Sequence, residues 1–113
     1  MSANNHIDHD TLATLQEVME DDFQHLIETF ISDSSQKMTD MQRALAAGLS
    51  DELRRAAHSF KGSSSNIGAG GLVALCKAIE DKAAVADLAG IEMQIVDLQQ
   101  EFNLVKGQLD IYL

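Results

Sequence analysis

The chain has 113 residues, which suits a single domain, so we expect one hydrophobic core and no second domain. Beside that core there is no room for a separate ATP-binding domain. The 18 acidic residues outnumber the 8 basic ones and give a formal charge of -10, which disfavours nucleic acid and anionic membrane surfaces as partners. The acidic surface either selects a protein partner with a basic rim or keeps a small domain soluble.

The composition indicates an all-α fold. Proline is absent and aromatic residues make up 4% of the chain, so nothing interrupts a helical hydrogen-bond ladder. The single cysteine, Cys76, cannot form an intrachain disulfide, and the chain does not open with a charged leader and an apolar stretch. No apolar run approaches the roughly 20 residues of a membrane span. We therefore expect a cytoplasmic protein that does not contact a membrane.

The N-terminal region is predicted to be a flexible tail followed by a short helix. Residues 1–7 are polar and lack a pattern, whereas residues 8–113 form the predicted domain. Asp8 or Asp10 can cap the short helix, because a carboxylate accepts hydrogen bonds from its free backbone N–H groups. This accessory helix carries three apolar positions, Leu12, Leu15 and Met19.

A much longer helix is predicted after the acidic pair Asp21 and Asp22, and Gly48 ends it. An acidic pair can also supply metal-binding carboxylates, but those follow a buried strand, whereas this pair precedes a helical pattern. We expect the pair to cap the helix, since carboxylates suit the positive end of the helix dipole. The apolar positions of the helix are Phe23, Leu26, Ile27, Phe30, Ile31, Met38, Met41 and Leu45.

Two further helices are separated by glycines. Ser50 opens the first, which should run to about Asn66, with Gly68 in a left-handed conformation after its end. The second follows Gly70 and Gly71, and its apolar residues share one face. That face contains Leu72, Leu75, Cys76, Ile79 and Ala83, where the cysteine serves as a small buried hydrophobe.

The last helix completes the predicted fold. Residues 87–90 break the chain before it, and its apolar positions then alternate steps of four and three, which is typical of near-parallel helix packing. Four long helices with short connections favour an antiparallel up-down four-helix bundle, with the short accessory helix across one end. Such a bundle buries its own seams, so we expect a monomer. The seam contains Ile91, Ile95, Leu98, Phe102, Val105, Leu109 and Tyr112.

His58 is the candidate for chemistry, because a helical wheel places it opposite the apolar face of its helix. Lys61, three residues on, can reach a phosphoryl group on the imidazole. Gly62 lies four residues on, where glycine costs about 1 kcal/mol relative to alanine, so a missing side chain is useful there for access by a partner. Ser65 either donates a hydrogen bond to a phosphoryl oxygen or reduces crowding near the helix end.

The segment Ala57-His58-Ser59-Phe60-Lys61-Gly62-Ser63-Ser64 resembles the A-H-x-x-K-G-S/A-S/A pattern of the histidine-containing phosphotransfer (HPt) domain family. The resemblance covers nearly the whole chain and suggests a stand-alone member. Supporting matches follow in the next turn and helix: Asn66, Ile67, Gly68, Ala69, Leu72, Leu75, Cys76 and Glu80.

The resemblance implies a role for three of these residues and a class of partner. His58 would accept the phosphoryl group, Lys61 would support it, and Gly62 would leave space for a docking receiver domain. Donor and acceptor would be aspartates on the receiver domains of hybrid sensor kinases and response regulators. The chain itself would be a phosphocarrier without autokinase activity or cofactor, since Mg²⁺ would belong to the receiver.

Two other residues of the predicted site, Glu80 and Phe23, have roles that the sequence leaves open. Some family members have a glutamine at the position of Glu80, close to the phosphohistidine, and a carboxylate cannot donate the same hydrogen bond. Phe23 either contributes to an apolar docking ring near His58 or packs at the end of its own helix.

Two alternative functions use the same residues differently. A non-catalytic adaptor would dock receiver domains without phosphotransfer, although it has no need for His58, Lys61 and Gly62 together. A metal-binding bundle would draw on the other histidines, which are expected to be solvated near the tail or to lack a matching pair, so no metal is predicted. The glycine and serines after Lys61 lack the preceding strand of a phosphate-binding loop, so ATP binding is not expected either. The histidine positions considered are His6, His9 and His25, the last with Glu28.

Overall fold

The computed structural model describes residues 6–113, and this part of the chain is all-helical. Five α-helices follow one another along the chain, with a single 3-10 turn after the first helix and another after the last. The α-helices are α1 (His9–Met19), α2 (Phe23–Ala46), α3 (Ser50–Asn66), α4 (Gly70–Ala84) and α5 (Ile91–Leu109), and the 3-10 turns are Glu20–Asp22 and Asp110–Tyr112.

The four long helices enclose one core. Helix α2 packs against α3 and α5, and α4 packs against the same two helices, so the four helices form a closed ring. Short connections join successive helices, which makes neighbours in the ring antiparallel. The predicted up-down four-helix bundle is confirmed, and so is the short accessory helix. Large side chains buried completely in the core include Ile27, Met41, Leu53, Phe60, Leu72, Ile79, Leu98 and Leu109.

Helix α1 lies across the end of the bundle at which α3 turns into α4. Asp8 is its cap, because the Asp8 carboxylate accepts hydrogen bonds from the backbone of Asp10 and Thr11. The backbone N–H of Asp8 donates to the carbonyl of Gly68 over 2.9 Å. Gly68 has the predicted left-handed conformation, with φ of +76°, and a Cβ there would lie 2.8 Å from Asp8 Cβ. Glycine therefore serves both the turn and the close approach of α1.

The predicted tail is wrong for its last two residues. Ile7 is only 3% exposed and belongs to the core. The backbone N–H of His6 donates to Gln108 Oε1, and His6 Nδ1 lies 2.8 Å from Glu101 Oε2, so this histidine is not solvated. Ile7 precedes the cap and Leu12 lies four residues into the helix, which is the spacing of a hydrophobic staple. Residues 1–5 of the predicted tail lie outside the described residues.

The prediction that Asp21 and Asp22 cap α2 is also wrong. Both residues lie in the 3-10 turn, where the backbone of Asp22 is already helical and its side chain makes no capping hydrogen bond. A cap residue normally has an extended backbone that lets its side chain fold back over the first N–H groups. The turn leads into α2 directly, so only the attraction between these charges and the helix dipole remains.

Phe23 packs at the end of its own helix. It is 2% exposed, and its ring meets that of Tyr112 edge to face with 5.8 Å between centroids. A side chain this buried has no surface left for a partner, so the docking-ring alternative for Phe23 is wrong and packing at the end of the helix is confirmed.

Within residues 6–113, no helix combines the length and the apolar character that crossing a membrane requires.

Candidate functional site

His58 projects from the middle of α3 into solvent. Its side chain is 64% exposed, whereas the opposite face of the helix is buried in the core. This orientation follows from helical periodicity, because the buried positions recur every three or four residues and His58 falls between them. The buried positions are Leu53, Ala57, Phe60 and Ser64.

Glu80 on α4 joins His58 and Lys61 into one cluster. One oxygen of its carboxylate lies 2.7 Å from His58 Nδ1, and the other accepts a hydrogen bond from Lys61 Nζ at 2.6 Å. The carboxylate is 15% exposed, so it lies at the foot of the more exposed imidazole. Some members of the family that the sequence resembles have a glutamine at this position. In this chain Glu80 still contacts the imidazole, with its carboxylate as the acceptor.

The charge of Glu80 determines which nitrogen of His58 is nucleophilic. The pKa of Glu80 lies below its usual value, chiefly because its carboxylate accepts a hydrogen bond from Lys61. Burial raises this pKa, whereas the hydrogen bond with His58 lowers it further. The carboxylate is therefore ionised near neutral pH and can only accept hydrogen bonds. Consequently His58 Nδ1 carries the proton and donates it to Glu80, which leaves the lone pair on Nε2, the outer nitrogen.

Lys61 is held by Glu80 in this structure. Its ammonium donates to the carboxylate on the Nδ1 side of the imidazole. A lysine side chain carries its charge on a flexible four-carbon stem, so the ammonium can move from this position toward a nearby phosphoryl group. The structure thus shows Lys61 in a resting position beside the histidine.

Gly62 leaves a gap on the exposed face next to His58. Its backbone is not left-handed, and a Cβ built on it would have no neighbour within 4 Å. Neither the turn geometry nor the packing of this chain requires glycine there. The residue therefore keeps the surface low beside the imidazole.

Ser65 is exposed but is not part of the cluster. Seven residues separate it from His58, a rise of about 10 Å along a helix. The structure gives it no hydrogen bond to His58, and it lines a shallow depression with Asp8, Thr11 and Gly68 at the α1 end of the bundle. The structure does not bring this predicted site residue to the imidazole.

Cys76 lies one turn before Glu80 on α4 and is completely buried. Burial raises the pKa of its thiol to about 12, and the negative charge of Glu80 contributes to the rise. A thiol with such a pKa is not a nucleophile near neutral pH. Cys76 is the small buried hydrophobe that the sequence predicts.

The other histidines lie apart from one another. His9 Nδ1 is 2.7 Å from the Tyr112 hydroxyl, and His25 Nε2 is 3.5 Å from the Thr29 hydroxyl. Over residues 6–113, no three histidine, cysteine, aspartate or glutamate side chains lie close enough together to hold a metal ion.

Comparison with known proteins identifies the family. The Hpt domain family matches residues 25–108, which is well over half of the chain and includes the whole cluster of His58, Lys61 and Glu80. The chain belongs to the Hpt domain family. This Hpt domain is similar to the crystal structure of histidine-containing phosphotransfer protein B (HptB) from Pseudomonas aeruginosa PAO1, with a TM-score of 0.93 and 40% sequence identity. The match covers 98% of this chain and 96% of that chain. None of the curated proteins matches this Hpt domain.

Proposed function

We propose that this chain is a histidine phosphotransfer protein that carries a phosphoryl group on Nε2 of His58 between aspartates of receiver domains. The observation that carries the proposal is the exposed imidazole whose Nδ1 is bound by an ionised carboxylate. Membership of the Hpt domain family and 40% identity to a protein named for histidine phosphotransfer support the same function.

The chemistry required of this chain is nucleophilic. The Nε2 lone pair attacks the phosphorus of a phosphoaspartate, and the bond between phosphorus and the aspartate oxygen breaks with its electron pair on the carboxylate. Return transfer reverses these steps. Mg²⁺ held by the receiver domain would neutralise part of the charge on the phosphoryl oxygens.

Lys61 and Gly62 assist by charge and by shape. Once Nε2 carries a phosphoryl group, the Lys61 ammonium can turn from Glu80 toward the phosphoryl oxygens and offset part of their charge. Gly62 lets the rim of the receiver approach closely enough for the attacking and leaving atoms to align. The chain acts as a carrier without autokinase activity, because the phosphoryl group comes from its partner.

The partners are receiver domains of hybrid sensor kinases and response regulators, and the protein acts as a monomer. The closed ring of four helices supports the monomer, since each long helix already buries its apolar face against two neighbours. In the adaptor alternative, receiver domains dock on the same surface around His58, but His58 is not phosphorylated.

The test is transfer of label from a phosphorylated receiver domain to three proteins: the wild type, His58→Gln and His25→Gln. His25 is a matched control, because it is an exposed histidine on α2 away from the cluster. We expect acid-labile, base-stable label on the wild type and on His25→Gln, and none on His58→Gln. Label that persists on His58→Gln would refute the assignment. Binding without label on the wild type, across a panel of active donors, would favour the adaptor.

A further inference from the structure

We infer that Glu80 controls how readily the phosphoryl group leaves His58, by keeping a proton on Nδ1 while Nε2 is phosphorylated. The inference rests on the proposed function of His58 as the carrier and adds a positioning residue to it. It starts from the 2.7 Å contact between His58 Nδ1 and the Glu80 carboxylate.

The proton on Nδ1 decides the leaving group. When the Nε2 lone pair forms a bond to phosphorus, the ring becomes a phosphorylated imidazolium that still carries the proton on Nδ1. In onward transfer an acceptor oxygen attacks the phosphorus, the bond between nitrogen and phosphorus breaks, and its electron pair returns to Nε2. The leaving group is then a neutral imidazole, and no proton has to move during the cycle.

Loss of that proton would stop the transfer. A phosphorylated ring without the Nδ1 proton must leave as imidazolate, which is far more basic and therefore a poor leaving group. A carboxylate that accepts from Nδ1 stabilises the positive ring by charge and by hydrogen bond. Glu80 thus extends the pH range over which the phosphohistidine can pass on its phosphoryl group.

The other charged groups near the imidazole have ion-pair partners of their own, so they do not accept the Nδ1 proton of His58. On α3, Lys61 donates to Glu80, while Arg54 and Arg55, one turn earlier, pair with Asp51. On α4, Lys77 pairs with Asp81, and the Cys76 thiol is protonated. No ion pair within residues 6–113 connects His58 to α2 or α5. Glu80 is the one carboxylate among these residues that contacts the imidazole.

A glutamine at position 80 would act differently. Its side-chain carbonyl can accept from Nδ1, but its amide can also donate to an unprotonated Nδ1 and so stabilise the inactive ring. A chain with glutamine there would hold its phosphoryl group longer at neutral and alkaline pH. The carboxylate of this chain therefore favours rapid onward transfer over storage.

The test loads the purified protein with phosphoramidate, a small-molecule phosphoryl donor that needs no partner protein. Loss of phosphohistidine is then followed by ³¹P NMR from about pH 5 to about pH 9 in the wild type, Glu80→Gln and Asp81→Asn. Asp81 is the matched control, since it is the next residue on α4, is exposed and pairs with Lys77 away from His58. ¹⁵N NMR of the unphosphorylated proteins reports which ring nitrogen carries the proton.

We expect Glu80→Gln to lose its phosphoryl group several-fold more slowly than the wild type near pH 8, because fewer of its phosphorylated rings keep the Nδ1 proton without the carboxylate. The two should agree near pH 5, where both rings are protonated, and Asp81→Asn should follow the wild type throughout. Unphosphorylated Glu80→Gln should also lose the preference for a proton on Nδ1. The same pH profile in wild type and Glu80→Gln would overturn the inference. Because loading needs no receiver, that result is distinct from a failure of receivers to label His58.

Discussion

At the scale of single residues, His58 gains its properties from neighbours that the backbone brings to it. Glycine at position 62 has no structural cause in this chain, since a Cβ there would enter open space. The fold would therefore be more stable with alanine at this position. Glycine weakens the helix here although an added Cβ would meet no neighbour, so its presence is best explained by a partner that must approach the surface.

Gly62→Ala should stabilise the protein and slow phosphoryl transfer. The expected gain in the free energy of unfolding is about 1 kcal/mol, because alanine replaces glycine in a helix without a clash. Urea unfolding measures the stability, and the rate of label transfer from a receiver domain measures the function. Gly107→Ala on α5 is the control: its Cβ also meets nothing within 4 Å, so it should stabilise without slowing transfer. Equal transfer rates for the two variants would contradict the role of Gly62 in access.

Glu80 should contribute to the loss of stability in acid. Its pKa is lowered in the folded protein, chiefly by the hydrogen bond from Lys61. A carboxyl group with a lowered pKa contributes stability above its unfolded pKa of about 4.3, and this contribution is lost as the pH falls through the folded value. Between about pH 6 and about pH 3, Glu80→Gln should therefore lose less stability in urea unfolding than the wild type. If the free energy of unfolding changes with pH in the same way in both proteins, the ionisation of Glu80 does not contribute to the stability of the fold.

At the scale of the helices, α1 and the residue before it close one end of the bundle. Ile7 is buried in the core that the four long helices share, and Asp8 connects α1 to the turn between α3 and α4. The sequence pattern predicts a tail for residues 1–7, which include part of this end. Its stability is therefore a test of how far the packed domain extends.

Ile7→Ala should destabilise the protein by about 2 kcal/mol or more, since it removes a buried side chain and leaves a cavity. Ile111→Ala is the control, because Ile111 is 72% exposed and its truncation should change stability by less than about 0.5 kcal/mol. Thermal and urea unfolding compare the two. If both substitutions change the free energy of unfolding by the same small amount, residues 6 and 7 do not contribute to the packed core.

The helices were largely predictable from the sequence, because their information is local. Spacing, an N-terminal signal at Ser50 and glycine after the last turn place α3 at the residues where the structure has it. Contacts between distant residues carry no local signal. His58 and Glu80 are 22 positions apart in the sequence, and their side chains come within 2.7 Å only when α3 and α4 pack together. The same holds for His6 and Glu101, whereas the staple at Ile7 was present in the sequence as a spacing.

At the scale of the whole molecule, the negative charge is concentrated away from His58. Residues 50–84, which contain α3, α4 and the turn between them, hold five basic and four acidic residues, a net charge of +1. The rest of the chain holds three basic and fourteen acidic residues, a net charge of -11. The two helices that form the His58 site are therefore close to neutral in an otherwise acidic chain. An anionic partner site meets the least repulsion there.

This distribution should orient the encounter with a receiver domain, whose phosphorylated aspartate lies among metal-binding carboxylates. Arg55→Glu on α3 and Lys106→Glu on α5 change the net charge equally, and both side chains are exposed. We expect Arg55→Glu to lower the association rate constant several-fold at low ionic strength, and Lys106→Glu to change it little. The difference should vanish at about 1 M salt, where the screening length falls to about 3 Å. Stopped-flow measurements give the association rate constant of each variant as a function of ionic strength. If the two variants show the same dependence, the net charge of the protein and not the position of the charge would control the association rate.

The buried thiol of Cys76 has a practical consequence for following that encounter by fluorescence. The chain has one cysteine, and maleimide dyes react with thiolates, which this residue does not form near neutral pH. A cysteine introduced on the exposed face of α5 can therefore be labelled selectively in the native sequence background. A single dye at a known position would then report docking in real time, with the core thiol left unmodified.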